Sequence, residues 1–271
     1  MALSDITLGQ YYPGDSSVHR MDPRVKILLA IAYIAAVGFV RGFVGFVVIS
    51  VFLVIASKLS HLKLSFMLRS VKPLLFIVAL TIGLNMFFSQ SGTVLWSWGI
   101  ITITLEGIRN AVFLAFRLIL WVTGMSLLTL TTSPISLTDA IERLLSPLKI
   151  IRFPVHELAM MMTIALRFIP TLLEETDKIM KAQMARGADF ESGNLFKRAK
   201  AMVPLLVPLF VSAFRRADEL AMAMESRCYH GGQGRTRMKV LSIGRPDIAA
   251  AAMVAAFAAV ALLDGRLFTF L

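Results

Sequence analysis

The chain has 271 residues, 57% of them hydrophobic, and a mean hydropathy of +0.74. This composition is far more apolar than that of a soluble domain and predicts an integral membrane protein with an all-α polytopic fold. The formal net charge of +11 does not indicate nucleic-acid binding, because the basic residues lie between apolar stretches, where Lys and Arg set the orientation of a membrane protein. The single cysteine excludes an internal disulfide, and the four histidines lack the spacing of metal ligands.

Five stretches are apolar enough to be considered as membrane spans: residues 27–57, 73–88, 107–130, 201–214 and 248–263. A span needs about 20 mostly apolar residues, so the first stretch is too long for one helix and predicts a tight hairpin that turns near Gly38, Arg41 and Gly42. The fourth stretch contains Pro204 and Pro208 and is left out of the count. We therefore predict five spans, two of them in the first stretch.

Charge assigns the predicted loops to the two sides of the membrane. Residues 58–72 carry four Lys or Arg residues, whereas residues 89–105 carry none, so the first loop is predicted inside and the second outside. Trp96 and Trp98, in the outer loop, are typical of the membrane interface. The basic residues between 20 and 26 place the N-terminus in the cytoplasm, and the last apolar helix then leaves the C-terminus outside.

The composition changes after the third apolar stretch. Residues 155–240 hold 13 of the 28 basic residues and 9 of the 17 acidic residues, which predicts amphipathic helices of mixed charge rather than a set of spans. We therefore divide the chain into N-terminal membrane spans at residues 1–135, a cytoplasmic region at residues 136–245 and a C-terminal membrane span at residues 246–271.

Several motifs of energy conversion and catalysis are absent from the sequence. It contains no G-x-x-x-x-G-K-[ST] loop, and hence no ATPase of its own, and no H-E-x-x-H or G-x-S-x-G motif of a membrane hydrolase. The predicted spans contain no Asp or Glu, so the carboxylate relay of a proton-driven transporter is missing. Arg117, in the middle of the third stretch, is either a functional residue or a structural one that packs against helix carbonyls or extends its charged end toward the membrane surface. The glycines of residues 230–234 favour a flexible helix exit over a phosphate loop.

Two segments that lie 41 residues apart share a layout. Aligned without gaps, "TDKIMKAQMARG" (176–187) and "ADELAMAMESRC" (217–228) have an aspartate, an alanine and an arginine at equivalent positions. The alanines lie one helical turn below Arg186 and Arg227, so another surface can approach closely while the guanidinium extends beyond it. One arginine before a terminal glycine is most simply a helix stop. Two such ends favour a pair of docking sites for carboxylates on a partner.

The same region is rich in methionine and contains two closely spaced prolines. Nine of the fifteen methionines lie between residues 155 and 240, where they either fill a core or form a surface that adapts to several partners. Pro204 and Pro208, four residues apart, lie on one helix face and predict a kink that turns the helix from the membrane to the cytoplasm.

At these residues the sequence resembles the transmembrane T components of energy-coupling factor transporters, a class of ABC importers for vitamins and transition-metal ions. The resemblance covers most of the chain. The segment "DSSVHRMDPRVKILLAI" (15–31) is similar to the N-terminal motif of this family, with Asp22, Pro23 and Arg24 at its centre.

Two cytoplasmic Ala-Arg-Gly motifs of the family correspond to two triplets of this chain: Ala185, Arg186 and Gly187, and Ser226, Arg227 and Cys228. The first triplet matches in full. The second keeps the arginine but lacks the glycine, which leaves the geometry of its helix end open, though not its charge. By this resemblance the two arginines lie at the ends of long coupling helices, and each docks on one of two cytoplasmic ATPases.

The resemblance implies a scaffold in the cell membrane of a prokaryote that performs no catalysis and needs no cofactor. It joins two cytoplasmic ATP-binding subunits to an integral membrane S component, which binds a vitamin or another micronutrient and is reoriented by ATP-driven motion. Two other classes stay open. One is a self-sufficient secondary transporter or channel with Arg117 and Asn85 along its pathway, and the other is a membrane enzyme, for which the sequence offers no candidate catalytic residue.

Overall fold

The structure is a computed structural model of the chain and describes residues 11–40, 42–88, 93–98, 101–190, 194–232, 236 and 241–267. In these ranges the α-helices are α1 (Pro23–Phe39), α2 (Phe43–Leu59), α3 (Leu64–Arg69), α4 (Leu75–Phe88), α5 (Leu105–Thr131), α6 (Pro134–Leu144), α7 (Val155–Ala185), α8 (Leu195–Ser226) and α9 (Arg245–Leu267). Two 3-10 segments cover Lys72–Leu74 and Ser146–Ile151, and two strands, β1 and β2, cover Val94–Trp98 and Ile101–Thr104.

The predicted all-α fold class is confirmed, with one local exception in the loop predicted to lie outside. Strands β1 and β2 pair antiparallel as a hairpin, with Trp98 opposite Ile101. Their sequences, VLWSW and ITIT, are rich in aromatic and β-branched residues, which favour a strand over a helix. The sequence prediction treated this segment only as a loop.

Three segments in the described ranges are long and apolar enough to cross a membrane: Leu64–Met86, Leu105–Thr131 and Val155–Ala185. Helix α2 is apolar but shorter. The first predicted stretch is divided into α1 and α2 at residues 40–42, as expected for two helices, although Arg41 lies outside the described residues. These helices agree with a polytopic membrane protein.

The main difference from the prediction concerns Val155–Ala185, which lies in the region assigned to the cytoplasm. It is the least apolar of the three segments, and its length and composition alone do not distinguish a span from a long amphipathic helix. The cytoplasmic location of this region therefore stays a prediction.

The chain forms two compact units. We call them the N-terminal unit, which comprises the described residues of 9–140 and 240–271, and the central unit, which comprises the described residues of 141–239. The N-terminal unit therefore contains both the first helices and the last helix, whereas the central unit contains the two longest helices.

The core of the N-terminal unit is formed by α1, α2, α5 and α9. Its buried side chains are Tyr33, Val37, Val40, Phe46, Ile49, Leu53, Leu120 and Ala261. The hydroxyl of Tyr33 donates to the carbonyl oxygen of Leu120 at 2.8 Å, and its ring lies against Gly124. Nε1 of Trp121 donates to the carbonyl oxygen of Ile34 at 3.0 Å. Side-chain hydrogen bonds thus join α1 to α5 in addition to apolar contact.

The N-terminal motif caps α1 and attaches it to α9. The carboxylate of Asp22 accepts from the backbone N–H of Arg24 at 2.9 Å and from its Nη2 at 2.6 Å. Pro23 occupies the first helical position, where an N–H would have no intrahelical partner. The backbone N–H of Asp22 donates to the buried carboxylate of Asp247 at 2.8 Å, and Nη2 of Arg24 donates to the carbonyl oxygen of Leu241 at 3.2 Å. The motif therefore holds the start of α1 against the start of α9.

Lys26 lies one turn further along α1 and is only 6% exposed. Its ammonium group donates to the carbonyl oxygens of Thr131 at 2.9 Å and His19 at 3.3 Å, and to the hydroxyl of Thr132 at 3.3 Å. An ammonium group has three protons, so these three acceptors use all of them. A buried charge is tolerated only when it is bonded in this way, and Lys26 thereby joins the start of α1 to the end of α5.

Arg117 has a structural partner in the N-terminal unit. Its Nη2 donates to the carbonyl oxygen of Val40, the C-cap residue of α1, at 2.7 Å. The last carbonyls of a helix have no intrahelical donor, so this bond satisfies one of them. Of the two interpretations left open for Arg117, the structure supports contact with a helix carbonyl. Asn85 likewise donates to the carbonyl oxygen of Thr81, one turn earlier in α4, at 3.0 Å.

Replacing Gly124 with Ala should destabilise the N-terminal unit, because a Cβ at this position would lie 2.1 Å from Cε1 of Tyr33. Overpacking of this kind costs about 1–3 kcal/mol. Gly83→Ala is the matched control, since a Cβ there meets none of the described atoms within 4 Å. Thermal unfolding in detergent should give a lower Tm for Gly124→Ala only, and equal Tm values for the two variants would contradict this packing.

Candidate functional site

The two longest helices belong to the central unit and end at the two predicted arginine motifs. Helix α7 has 31 residues and α8 has 32, so each is about 45 Å long at the usual rise per residue. Helix α7 ends at Ala185 and α8 at Ser226, each immediately before an arginine. We call Ala185, Arg186 and Gly187 the first arginine end, and Ser226, Arg227 and Cys228 the second arginine end.

The first arginine end is closed by backbone hydrogen bonds beyond the last helical turn. The N–H of Gly187 donates to the carbonyl oxygen of Met184 at 2.9 Å, and the N–H of Ala188 donates to that of Gln183 at 3.0 Å. Gly187 has a φ of +88°. Two such bonds around a left-handed residue form a Schellman motif. Arg186 is its C-cap residue, so the chain turns away directly after the arginine.

The second arginine end has the same backbone geometry. The N–H of Cys228 donates to the carbonyl oxygen of Glu225 at 2.9 Å, and the N–H of Tyr229 donates to that of Met224 at 3.0 Å. Cys228 has a φ of +54°, which places Arg227 at the equivalent C-cap position. The sequence left the backbone geometry of the second end open, because Cys228 stands in place of a glycine. The structure shows that this end forms the same Schellman motif as the first.

Cys228 adopts this conformation at a steric cost. The left-handed region costs an L-residue with a Cβ about 1–2 kcal/mol, whereas glycine enters it freely. Each of the two backbone bonds that close the end contributes about 0.5–1.5 kcal/mol. These bonds together offset the cost at Cys228, so the departure from glycine changes the stability of the second end and not its geometry.

All six residues of the two arginine ends are exposed. The carbonyl groups at a helix C-terminus carry a partial negative charge, which favours a cation there by about 0.3–1 kcal/mol. Within the described part of the chain, neither Arg186 nor Arg227 forms an ion pair. Both guanidinium groups are therefore accessible to a partner.

One ion pair joins α7 and α8. Nη2 of Arg216 lies 2.9 Å from Oε2 of Glu175, and these residues are separated by the same 41 positions as Arg186 and Arg227. Each arginine end thus follows its own member of the pair by eleven residues, or about 16 Å along a helix. The two ends lie at equal helical distance from one contact point.

Helix α8 has an exposed apolar face in its middle part. Its exposed apolar side chains are Met202, Val203, Leu206, Val207, Phe210, Val211 and Phe214. Their spacing of three and four residues places them on one side of the helix. Near the start of α7, Leu158, Met161 and Met162 are also exposed. Groups of neighbouring exposed apolar side chains are typical of a surface that contacts lipid or another protein.

Pro204 and Pro208 lie inside α8, which continues through both positions. Each proline removes one backbone hydrogen bond from the helix, so this segment is the weakest part of the α8 hydrogen-bond ladder. The kink predicted here stays a prediction. Pro170 lies inside α7 in the same way.

The remaining predicted residues do not contribute to the arginine ends. Asp22, Pro23 and Arg24 belong to the N-terminal unit, where they form the contacts with α9 described above. Within the described ranges, no group of three or more His, Cys, Asp or Glu residues is arranged to hold a metal ion.

The sequence prediction missed a polar cluster in the central unit. Nδ1 of His156 lies 3.1 Å from Oε1 of Glu142, and its Nε2 lies 3.3 Å from the hydroxyl of Tyr229. Tyr229 follows the second arginine end directly and could have been noted for that reason. His156 gives no local signal, because its two partners lie 14 and 73 residues away in the sequence.

Comparison with known proteins supplies the family. Residues 14–239 match the model of the CbiQ family, described as cobalt transport protein. The chain is 56% identical over 248 residues to the energy-coupling factor transporter transmembrane protein EcfT of Thermosediminibacter oceani, an alignment that covers 92% of this chain and 93% of the relative. It is 55% identical over 262 residues to EcfT of Acidaminococcus fermentans, with 96% and 97% covered. The chain therefore belongs to the family of transmembrane T components of energy-coupling factor transporters.

Proposed function

We propose that this chain couples ATP hydrolysis in two separate cytoplasmic subunits to the movement of a substrate-binding S component in the membrane. The cargo class is a vitamin or another micronutrient, and the S component binds it. The observation that carries the proposal is the pair of exposed arginines, Arg186 and Arg227, at two helix ends that both form a Schellman motif. We call α7 and α8 the coupling helices.

The chemistry of the arginine ends suits docking on a carboxylate. A guanidinium group presents several donors in a fixed planar fork, which matches the two oxygens of a carboxylate. Ala182 and Ala223, one turn below the arginines, are exposed and small, so a partner can approach the helix closely. The Schellman bonds satisfy two of the last carbonyls of each helix, and the guanidinium group supplies the donors for the partner.

The contact between the coupling helices suits movement rather than a rigid connection. The side chains of Arg216 and Glu175 are 38% and 24% exposed, and a partly exposed ion pair of this kind contributes only about 0–1 kcal/mol. Such a bond aligns two helices without preventing a shift between them. Force applied at either arginine end therefore reaches the other helix at a defined point.

The exposed apolar side chains of the coupling helices provide a surface for the S component. Met161 and Met162 on α7 are unbranched and adaptable, so that they can pack against more than one protein surface. This favours a T component shared among several S components. The apolar face of α8 would extend the same surface or contact lipid.

The proposed location is the cell membrane of a prokaryote, with several passes and the N-terminus and coupling helices on the cytoplasmic side. Its support is the four basic residues of 58–72 and the absence of Lys and Arg from residues 89–105. The energy source then has to be external to the chain, because its sequence contains no P-loop.

The residues first considered for a self-sufficient transporter or channel have structural contacts in the described N-terminal unit. Arg117 and Asn85 both donate to backbone carbonyl oxygens. Both also line one polar cavity with Glu106, Arg109 and Asn110, and Nε of Arg117 is buried with no hydrogen-bond partner among the described residues. This alternative therefore stays open.

Replacing both Arg186 and Arg227 with Ala should strongly weaken association with the ATP-binding subunits and abolish uptake. Each change removes charge-assisted hydrogen bonds, which are worth about 1.5–3 kcal/mol. Membrane insertion should be unaffected, since both side chains are exposed. A pull-down from detergent measures subunit association, and substrate uptake into reconstituted vesicles measures transport.

Arg215→Ala is the matched control for this pair. Arg215 is also an exposed arginine of α8, but it lies within the length of the helix and not at its end. It should leave both measurements close to those of the wild type. Normal complex recovery and transport in the double variant would contradict docking through the arginine ends. Uptake by the purified chain without ATP-binding subunits would contradict the scaffold function itself.

Cys228→Gly should stabilise the second arginine end by about 1 kcal/mol and preserve docking, because glycine enters the left-handed region freely. Cys228→Val should do the opposite, since a β-branched residue is least compatible with a positive φ. The rate of tryptic cleavage after Arg227 measures fraying of this end. Cleavage should be slower in the glycine variant and faster in the valine variant, and the reverse order would show that φ at this position does not control the end.

A photo-crosslinking residue at position 161 or 162 should attach to the S component in the assembled transporter, because Met161 and Met162 are exposed near the start of α7. Position 219 is the control, since Glu219 is exposed on α8 only eight residues before Arg227 and is expected to face the ATP-binding subunits. Mass spectrometry of the crosslinked products identifies the partner. Attachment to the S component from position 219 but not from 161 or 162 would refute the proposed surface.

A further inference from the structure

A chain of three polar side chains links the second arginine end to the start of α7. His156, the second residue of α7, has Nδ1 3.1 Å from Oε1 of Glu142 and Nε2 3.3 Å from the hydroxyl of Tyr229. Glu142 lies in the last turn of α6 and is only 7% exposed. All three residues belong to the central unit.

Both ring nitrogens of His156 take part in these contacts. Nδ1 contacts a carboxylate oxygen of Glu142, and Nε2 contacts the hydroxyl of Tyr229. A hydroxyl group can donate or accept, so it can bond to Nε2 in either protonation state of the imidazole. A phenylalanine at position 229 has no hydroxyl group and would remove the bond to Nε2.

The glycines after the second arginine end let the chain approach His156 closely. A Cβ at Gly232 would lie 2.4 Å from Cδ2 of His156, so only glycine fits there without movement of the imidazole. Gly231 has a φ of +93°, in the left-handed region that favours glycine. Gly232 thus makes a close contact that the sequence did not predict, and the flexibility of this helix exit stays a prediction. Gln233 and Gly234, in the same motif, lie outside the described residues.

Tyr229 acts on the second arginine end in two ways. Its backbone N–H closes the Schellman motif by donating to Met224, and its hydroxyl contacts His156. At the first arginine end the equivalent position is Ala188, whose methyl group has no hydrogen-bonding atom. The two ends thus share their backbone geometry but differ at this side chain.

We infer that Glu142, His156 and Tyr229 form an anchor that positions Arg227 for docking, with His156 and Tyr229 as positioning residues. The inference rests on the proposed function. Because the anchor holds the end of α8 beside the start of α7, Arg227 meets its ATP-binding subunit from a fixed direction. A mobile end would have to be ordered on docking, and that ordering lowers affinity. The first arginine end has no equivalent bond from Ala188 and is the end that adjusts.

Hydrogen exchange tests the anchor in the full-length chain in detergent micelles. Tyr229→Phe should accelerate amide exchange in residues 226–232 by about threefold to tenfold, because local opening no longer breaks the bond to His156. Exchange in residues 184–190, around the first arginine end, should be unchanged. Tyr12→Phe, at an exposed tyrosine of the other unit, is the matched control and should alter neither segment.

Two further variants separate the anchor from general destabilisation. His156→Leu removes both bonds and should reproduce the effect of Tyr229→Phe, whereas Glu142→Gln keeps an acceptor oxygen for Nδ1–H and should exchange like the wild type. Unchanged exchange of residues 226–232 in both Tyr229→Phe and His156→Leu would overturn the anchor. Equal acceleration of residues 184–190 would also overturn it, because the effect would then not be specific to the second end.

Binding of the ATP-binding subunits that co-purify with the wild-type chain tests the positioning role. Tyr229→Phe should weaken binding by about threefold to tenfold, have no further effect when combined with Arg227→Ala, and retain its full effect when combined with Arg186→Ala. Equal effects in the two backgrounds would overturn positioning of Arg227. If Arg227→Ala alone leaves binding unchanged, the proposed docking of the second end fails, and the exchange rates still decide whether the anchor exists.

Discussion

Helices α7 and α8 each end at an arginine because the next residue takes a left-handed conformation. At Gly187 and Cys228 the positive φ turns the chain away from the helix axis, and the two following N–H groups bond back to carbonyls of the last turn. The arginine is thereby left at the C-cap position, at the very end of the helix. Exposure of the guanidinium group, closeness of the small alanines and equal distance from the Glu175–Arg216 pair all depend on where the helix stops.

A second constraint governs the N-terminal unit, where charged groups lie among apolar helices. Lys26, Asp22 and Asp247 are each nearly inaccessible to solvent, and an unpaired charge in such a place would cost several kcal/mol. The structure satisfies them by joining helix ends: Asp247 bonds to the start of α1, and Lys26 bonds to the end of α5. Because helix ends carry unpaired backbone groups, they offer the donors and acceptors that these side chains need. The ends of α1, α5 and α9 are therefore connected by polar contacts as well as by apolar packing.

The sequence predicted those features that depend on a few neighbouring residues or on overall composition. The break between α1 and α2 followed from two nearby glycines, and the end of α7 followed from Gly187, since a left-handed C-terminal residue is a local requirement. The sequence prediction missed features of short segments whose residues fit more than one local structure. The β-hairpin after α4 was treated as a loop, and the close approach of Gly232 to His156 was not predicted. For Cys228 the residue type disfavoured the observed backbone, and only the two hydrogen bonds of the helix end show that the geometry of the first end is kept.

The amino-acid sequence alone determined that this is a helical membrane protein, where its two arginine motifs lie, and which family those motifs resemble. These properties follow from composition and from interactions within one or two helical turns. The tertiary structure decided which distant polar groups meet: Asp22 with Asp247, Lys26 with Thr131, Arg117 with Val40, and His156 with Glu142 and Tyr229. No local pattern encodes these pairs, because their partners are separated by between 14 and 225 residues and come together only when the helices pack.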